Sequence, residues 1–557
     1  MRPCLLTIVP PVLLGMFVAT ILIRKARMNL PPSPPGLPII GHLHLLGTRP
    51  VRSLSDLSRR YESLMFLRFG NVPVLVASSP AAARLISKMR SHISCSPTVP
   101  VVSFEREELL SAPPGLYFKF HHRLRTAELF SAKPFHFFQP IINDEIRTLL
   151  QVVADNAACV HIRKELYDAT FSIISRIAIS RRAKDLRSPS QNDHSSSLQN
   201  LLIDSINLLG VQNIGDYKPC LAWMDLQGAK RAKAISTKIK SMWQQIIDDR
   251  RRTRLTRGSE IKDSDFLDVL PDCFGEGRPR IKLISVTCTC ILWILSELDC
   301  PISRIMIRRR SKRCTSLPHS MEVPKKKSAL CSERSSHRCL RAHHHQDTDN
   351  MFDACIDSST LTVEWAIAEL LAHPRILQKA QQELEEVVGA IRLVQESDIV
   401  RLPYLRAIIK ETMRLHPIAP LFMPHTVSES CRICGYNIPR STVACINVWA
   451  MGRDSKVWKD PLRFCPERLL DSNMEVRGQD FELLPFGSAS LACPGLAFGL
   501  NNVHLMLSNL LNAFEWRRIG EIDLSEKVGT LMSLKSHLVA KATLKIPRCV
   551  IDGNQSA

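Results

Sequence analysis

Acid is scarce in this chain: 53 Asp and Glu stand against 74 Lys and Arg, a net charge of +21. Much of the excess lies in one place, since residues 301–345 hold twelve Lys/Arg and two Glu. Residues 301–350 contain no Phe, Tyr or Trp, so the stacking platforms that single-stranded nucleic acid requires are missing. No nucleic-acid partner is expected. A glycine-rich dinucleotide fingerprint is absent as well, which excludes a nicotinamide or flavin site of that kind. The 18 cysteines show no framework spacing. Cys431 and Cys434 form a lone C-x-x-C without a second pair or neighbouring ligand histidines, which argues against zinc. In a reducing compartment they are mostly free thiols.

What is present begins with residues 5–23, almost wholly apolar and followed by Arg24, Lys25 and Arg27. Nineteen helical residues span about 28 Å, close to a bilayer core. The basic cluster follows the span and no small-residue cleavage site does, so an anchor with a cytosolic body is expected in place of a secretory signal. Residues 1–27 are therefore read as anchor and basic flank. Residues 28–47, with PPSPPGLPIIG at 31–41, form a stiff proline-rich connector. At 557 residues and 45% hydrophobic content, the rest can hold several average domains or one large one.

Residues 64–77 alternate about Gly70 and Pro73 as a hairpin would, and Ser79–Pro80 open a helix at Ala81. Residues 201–209 and 229–247 have helical period, as do residues 363–371. Before the last of these, ACIDSS at 354–359 reads either as an N-cap built on Asp357, Ser358 or Ser359, or as the acid–hydroxyl pair discussed below.

Residues 484–499 read LPFGSASLACPGLAFG, and Cys493 precedes a stretch with helical period. A thiol at a helix mouth, beside free N–H groups, is expected to be stabilised as a thiolate. Such a thiolate is a soft ligand for iron; the alternative is an inert buried cysteine. Upstream, KETMRLHP at 410–417 places Glu411 and Arg414 one turn apart, and FCPERL at 464–469 supplies Arg468. A Glu and two Arg of this kind can be buried only as a complete cluster.

In this order, and with the loop from Phe486 to Gly495, these motifs resemble the cytochrome P-450 superfamily of haem-thiolate monooxygenases. The phrases WMDLQG, VEWAIAELLAHP, INVWAMGRD and FELLPFGS are similar to plant microsomal members acting on flavonoids. The resemblance implies a mainly α fold with small β-sheets, one large helical domain over residues 48–557 behind the membrane anchor. It implies haem b bound through Cys493, with Phe486 and the propionate-side positions His122, Arg123 and His425 lining the cofactor. Asp357 and Ser358 would deliver protons, and Glu411, Arg414 and Arg468 would hold the core. Residues 216–228 would lie over the substrate entrance. A separate NADPH-dependent flavoprotein reductase would dock on a basic face near Cys493. The setting would be the endoplasmic-reticulum membrane, crossed once, and the substrate a lipophilic small molecule, a flavonoid or alternatively a triterpenoid.

The chain departs from the family pattern in two ways. The family has Gly and Thr where this chain has Cys355 and Ser358, and cationic propionate partners where it has His122, His425 and Leu491. A catalytically impaired pseudo-enzyme of the same fold is therefore the rival reading. Residues 275–350 are basic and rich in cysteine, with little period. They are expected to be disordered or foreign to the fold, a mis-spliced or frameshifted stretch in place of the first half of a long helix.

Overall fold

The computed structural model describes residues 29–88, 93–94, 132–182, 198–209, 226–257, 333–488, 492–529 and 531–553. The expected anchor at 5–23, the entrance segment up to residue 225 and the positions His122 and Arg123 lie outside them.

Helices dominate. In chain order they are α1 (Pro50–Arg60), α2 (Pro80–Lys88), α3 (Ala132–Asp155), α4 (Ile162–Ile179), α5 (Leu198–Leu209) and α6 (Leu226–Arg257). They continue as α7 (Glu333–Ala372), α8 (Pro374–Val387), α9 (Pro403–Leu415), α10 (Leu496–Ala513) and α11 (Arg548–Asp552). The start signals are local: Pro occupies the first turn of α1, α8 and α9, where a missing N–H costs nothing. At α2 the Ser79 hydroxyl accepts from Ala82 N at 3.2 Å.

The expected hairpin is β1 (Leu64–Phe69) with β2 (Val72–Ala77), antiparallel and in register from Leu64↔Ala77 to Phe69↔Val72. With β3 (Ile93–Ser94), β5 (Leu421–Val427) and β8 (Val443–Asn447) it forms a five-stranded sheet, order β1-β2-β8-β5-β3. A three-stranded sheet joins β4 (Val160–His161), β12 (Val539–Leu544) and β9 (Phe514–Arg518). Two small hairpins pair β6 (Cys431–Ile433) with β7 (Tyr436–Ile438), and β10 (Glu526–Val528) with β11 (Met532–Leu534). A mainly α fold with small sheets is what the sequence implies.

The core is organised around α7. Phe352 and Ile356, then Val363, Trp365, Ala366, Ile367 and Leu370, are buried. Phe352 makes edge contacts with Phe171 of α4 and Trp243 of α6, at centroid distances of 5.5 and 5.1 Å. Trp365 stacks flat on His416 at 3.8 Å. In α10 nearly every side chain from Asn502 to Ala513 is buried, as expected of a helix apolar all round.

One expectation needs correction. Residues 333–350 belong by sequence to the stretch thought to lack regular structure, yet their backbone is helical and continuous with α7. Propagating an existing helix adds a hydrogen bond per residue without a new nucleus, so a strong apolar helix extends into a segment whose own pattern is weak.

A buried carboxylate pins the turn before α9. Asp398 accepts from Arg392 at 2.5 and 2.9 Å and from Gln395 N at 2.9 Å, and it also pairs with Arg401. Burial works against its charge, but these donors more than offset it and hold the carboxyl at about 2. A folded value below the ordinary 3.8 stabilises above that value and fades as pH falls toward 2. Asp398→Asn should therefore lower the urea midpoint at pH 7, by about 2 kcal/mol in stability, and the gap from wild type should narrow at pH 2.5. A gap independent of pH would contradict this account.

Candidate functional site

Glu411 is fully buried and spends both oxygens. Oε2 accepts from Arg414 Nε at 2.8 Å; Oε1 accepts from Arg414 Nη2 at 2.8 Å, Arg468 Nε at 3.0 Å and Cys465 N at 2.9 Å. Arg414 is 1% exposed. Its remaining donors reach the carbonyls of Gly452, Pro461 (2.8 Å) and Arg463 (3.2 Å), and the guanidinium lies over Trp458. A Cβ at Gly452 would stand 2.2 Å from the Arg414 carbonyl, so only glycine fits that approach. The cluster thus ties α9 to residues 452–468, the stretch that leads into the Cys493 loop. The structure brings together all three residues that the sequence nominated.

The loop itself is folded by its backbone. Gly487 takes φ 72°, and the Gly487 carbonyl sits where a Cβ on Gly478 would come within 2.5 Å. Cys493 N donates to Phe486 O at 2.9 Å, and Leu496 N to Cys493 O at 3.3 Å, which starts α10. Phe486 is half-buried against the core. Cys493 is exposed, although protein atoms crowd the surroundings of its thiol. The sequence expectation of a thiolate is not met by the loop alone. Burial pushes the thiol up and outweighs the Gly495 N–H that opposes it. A cation at the sulfur would be needed to deprotonate it.

In α7 the pair Asp357 and Ser358 sits well inside a helix, which overturns the N-cap alternative. Ser358 Oγ donates to Ala354 O at 2.7 Å, and Ser358 O accepts from Thr362 Oγ1 at 2.7 Å. Burial raises Asp357 to about 6, with the Arg163 charge opposing. Cys355 is half-buried and packs against the main core. His425, on β5 opposite Ala444, is 7% exposed, and burial pushes it down to about 4. Ala489 to Leu491 lie outside the described residues.

Sequence reasoning missed several buried partners. Glu369 accepts from His416 Nε2 at 2.6 Å and lies 3.3 Å from His373 Nδ1. Burial opposes its charge, but the two imidazoles hold it at about 2. Glu364 is clamped by Arg163 at 2.8 Å, and Arg163 also donates to Leu534 O at 3.0 Å. Glu526 takes Arg52, Arg453 and Trp449 Nε1, at 2.8, 2.8 and 2.9 Å. Two of these carboxylates were visible as charges inside the apolar run VEWAIAELLA, where each needs a partner.

With this geometry in hand, comparison with known proteins places the chain. The family model described as Cytochrome P450 matches residues 31–273 and 326–539. The chain is 31% identical over 542 residues to a flavonoid 3'-monooxygenase from Crocosmia x crocosmiiflora, covering 93% of each. It is 32% identical over 514 residues to a flavonoid 3'-monooxygenase from Arabidopsis thaliana, covering 90% of this chain and 87% of the relative. It is 29% identical over 537 residues to a geraniol 8-hydroxylase from Catharanthus roseus, covering 94% and 96%. The chain belongs to the cytochrome P-450 family. It is an oxidoreductase of the monooxygenase class, and its cofactor is haem.

The residues present fit that group at the sulfur. A soft thiol stands open at the mouth of α10 with a backbone N–H on it, and a Cβ built at Gly499, in the first turn, meets nothing within 4 Å. Among the described residues no helix is long and apolar enough to cross a membrane.

Breaking the buried cluster should be severe. Glu411→Ala leaves two arginines uncompensated and should cost about 3–5 kcal/mol, read as loss of cooperative unfolding or of soluble protein. A variant that melts within about 1 kcal/mol of wild type would show that the cluster is dispensable.

Proposed function

We propose that this chain inserts one atom of O2 into a lipophilic small molecule of the flavonoid class, with Cys493 as the axial ligand of the haem iron. The observation that carries the reading is the Cys493 thiol, open to solvent, ringed by protein and met by the Gly495 N–H at the start of α10. When bound, haem would supply the oxygen-activating chemistry, tuned by electron donation from sulfur. The chain's own part is to orient and to move protons. Asp357, half-buried and raised to about 6, holds a proton that it can release, and Ser358 stands beside it to pass the proton on. Glu411, Arg414 and Arg468 keep the loop in place and take no part in the chemistry.

The flavonoid class is favoured by the 31–32% identity to two flavonoid 3'-monooxygenases; similarity to a geraniol 8-hydroxylase keeps a terpenoid as the second substrate class. Electrons would come from an NADPH-dependent flavoprotein reductase. Residues 1–27 would anchor the chain once in the endoplasmic-reticulum membrane with its body in the cytosol. Residues 48–557 would form one catalytic domain, interrupted by a basic segment ending near residue 350. A haem-poor pseudo-enzyme is the alternative reading, favoured by His425 and Leu491 at positions where the family has cationic propionate partners and by the basic insert.

The test is reconstitution in membranes with the reductase, NADPH and either a flavone or geraniol. A hydroxylated flavone is expected. Turnover of geraniol alone would overturn the substrate class, and protein without haem would establish the pseudo-enzyme. Asp357 carries a second expectation. Its folded value, about 6, lies above the ordinary 3.8. The proton-bearing form therefore prevails below pH 6 and is lost as pH rises through it. Asp357→Asn should slow oxygenation about 100-fold and remove the inflection near that pH. A retained inflection would exclude Asp357 as its source.

A further inference from the structure

A cavity lies between α3, residues 392–395, the end of α10 and residues 550–553. Its volume is about 330 Å³, and Arg147, Arg392, Asn143, Ile146, Val394 and Val550 are among its walls. That volume is at the lower end for small-molecule sites, about 300–1,000 Å³. Its polar groups divide sharply into those already satisfied and those not. Arg392 is neutralised by Asp398 through two bonds. Asn509, also in the wall, is spent on the Val394 backbone, accepting from its N at 2.9 Å and donating to its O at 3.1 Å.

Arg147 differs. Its Nε is buried and has no hydrogen-bond partner among the described residues. No carboxylate among them pairs with it. Gly553, in the left-handed conformation at φ +77°, lacks the Cβ that would otherwise stand 3.5 Å from that nitrogen. Asn143 is one turn away on the same helix. Its Oδ1 is taken by Gln139 at 2.9 Å, which leaves its amide N–H groups to donate.

An unpaired guanidinium donor costs free energy when buried unless an acceptor meets it. A cationic donor favours a negative acceptor, and the fork geometry of guanidinium matches a carboxylate. The apolar walls Ile146, Leu393, Val394 and Val550 suit an apolar body. We propose that this cavity is a binding site for a small organic monocarboxylate, its carboxylate on Arg147 and Asn143 and its body against those side chains. The proposal does not depend on the oxygenation chemistry, because its lining includes neither the Cys493 loop nor Asp357 and Ser358.

Benzoate is the probe, titrated calorimetrically into purified full-length protein, with neutral benzamide as control. Saturable one-site binding is expected. Arg147→Gln should weaken it about tenfold or more, as loss of a charge-assisted bond requires. Arg147→Lys, which keeps the charge without the fork, should weaken it less. Unchanged circular dichroism in both variants guards against a folding artefact. Absence of saturable binding, equal affinity in Arg147→Gln, or equally tight benzamide binding would each overturn the assignment.

Discussion

A carboxylate with no access to water, Glu411, holds two arginines that belong to different parts of the chain, and the rest of the site depends on it. Ionic groups out of water are tolerated only when every lone pair and proton is met. Here Arg414 also gathers three carbonyls from residues 452–463. The cluster therefore fixes residues 452–468, upstream of the glycine turn at 487. That turn in turn fixes where Phe486 O receives Cys493 N.

The long helix α7 shows how neighbours set the character of one side-chain type. Asp357, Glu364 and Glu369 are all carboxylates on one element. Asp357 is half-buried, with the Arg163 charge opposing the effect of burial, and sits at about 6. Glu364 is raised by burial despite the bound Arg163. Glu369, between two imidazoles, sits at about 2. The first is suited to exchanging a proton, and the last to staying charged and holding His416 beneath Trp365.

Much of the architecture was legible because its signals are local. The helix start at Pro80, the hairpin about Gly70, and the i+3 spacing of Glu411 and Arg414 all follow from short stretches of sequence. Family, enzyme class and cofactor were legible from the order of the motifs. What could not be read involves pairing at a distance. His416 meets Glu369 across 47 residues, and Arg163 meets Glu364 across 201; nothing in either sequence neighbourhood names the partner. The burial that raises the Cys493 thiol is of the same kind. A helix mouth and an N–H are visible in sequence, but the mass of protein that desolvates the sulfur is assembled from elsewhere. The helical backbone at 333–350 was missed because helix propagation from a strong neighbour leaves no pattern of its own.

The central claim is that the sulfur of Cys493 binds the haem iron. The most direct measurement is the absorption spectrum of purified, reduced protein under carbon monoxide. The account predicts a strongly red-shifted Soret band, lost in Cys493→Ala while circular dichroism still reports the helical fold. The same shifted band in the variant would contradict it.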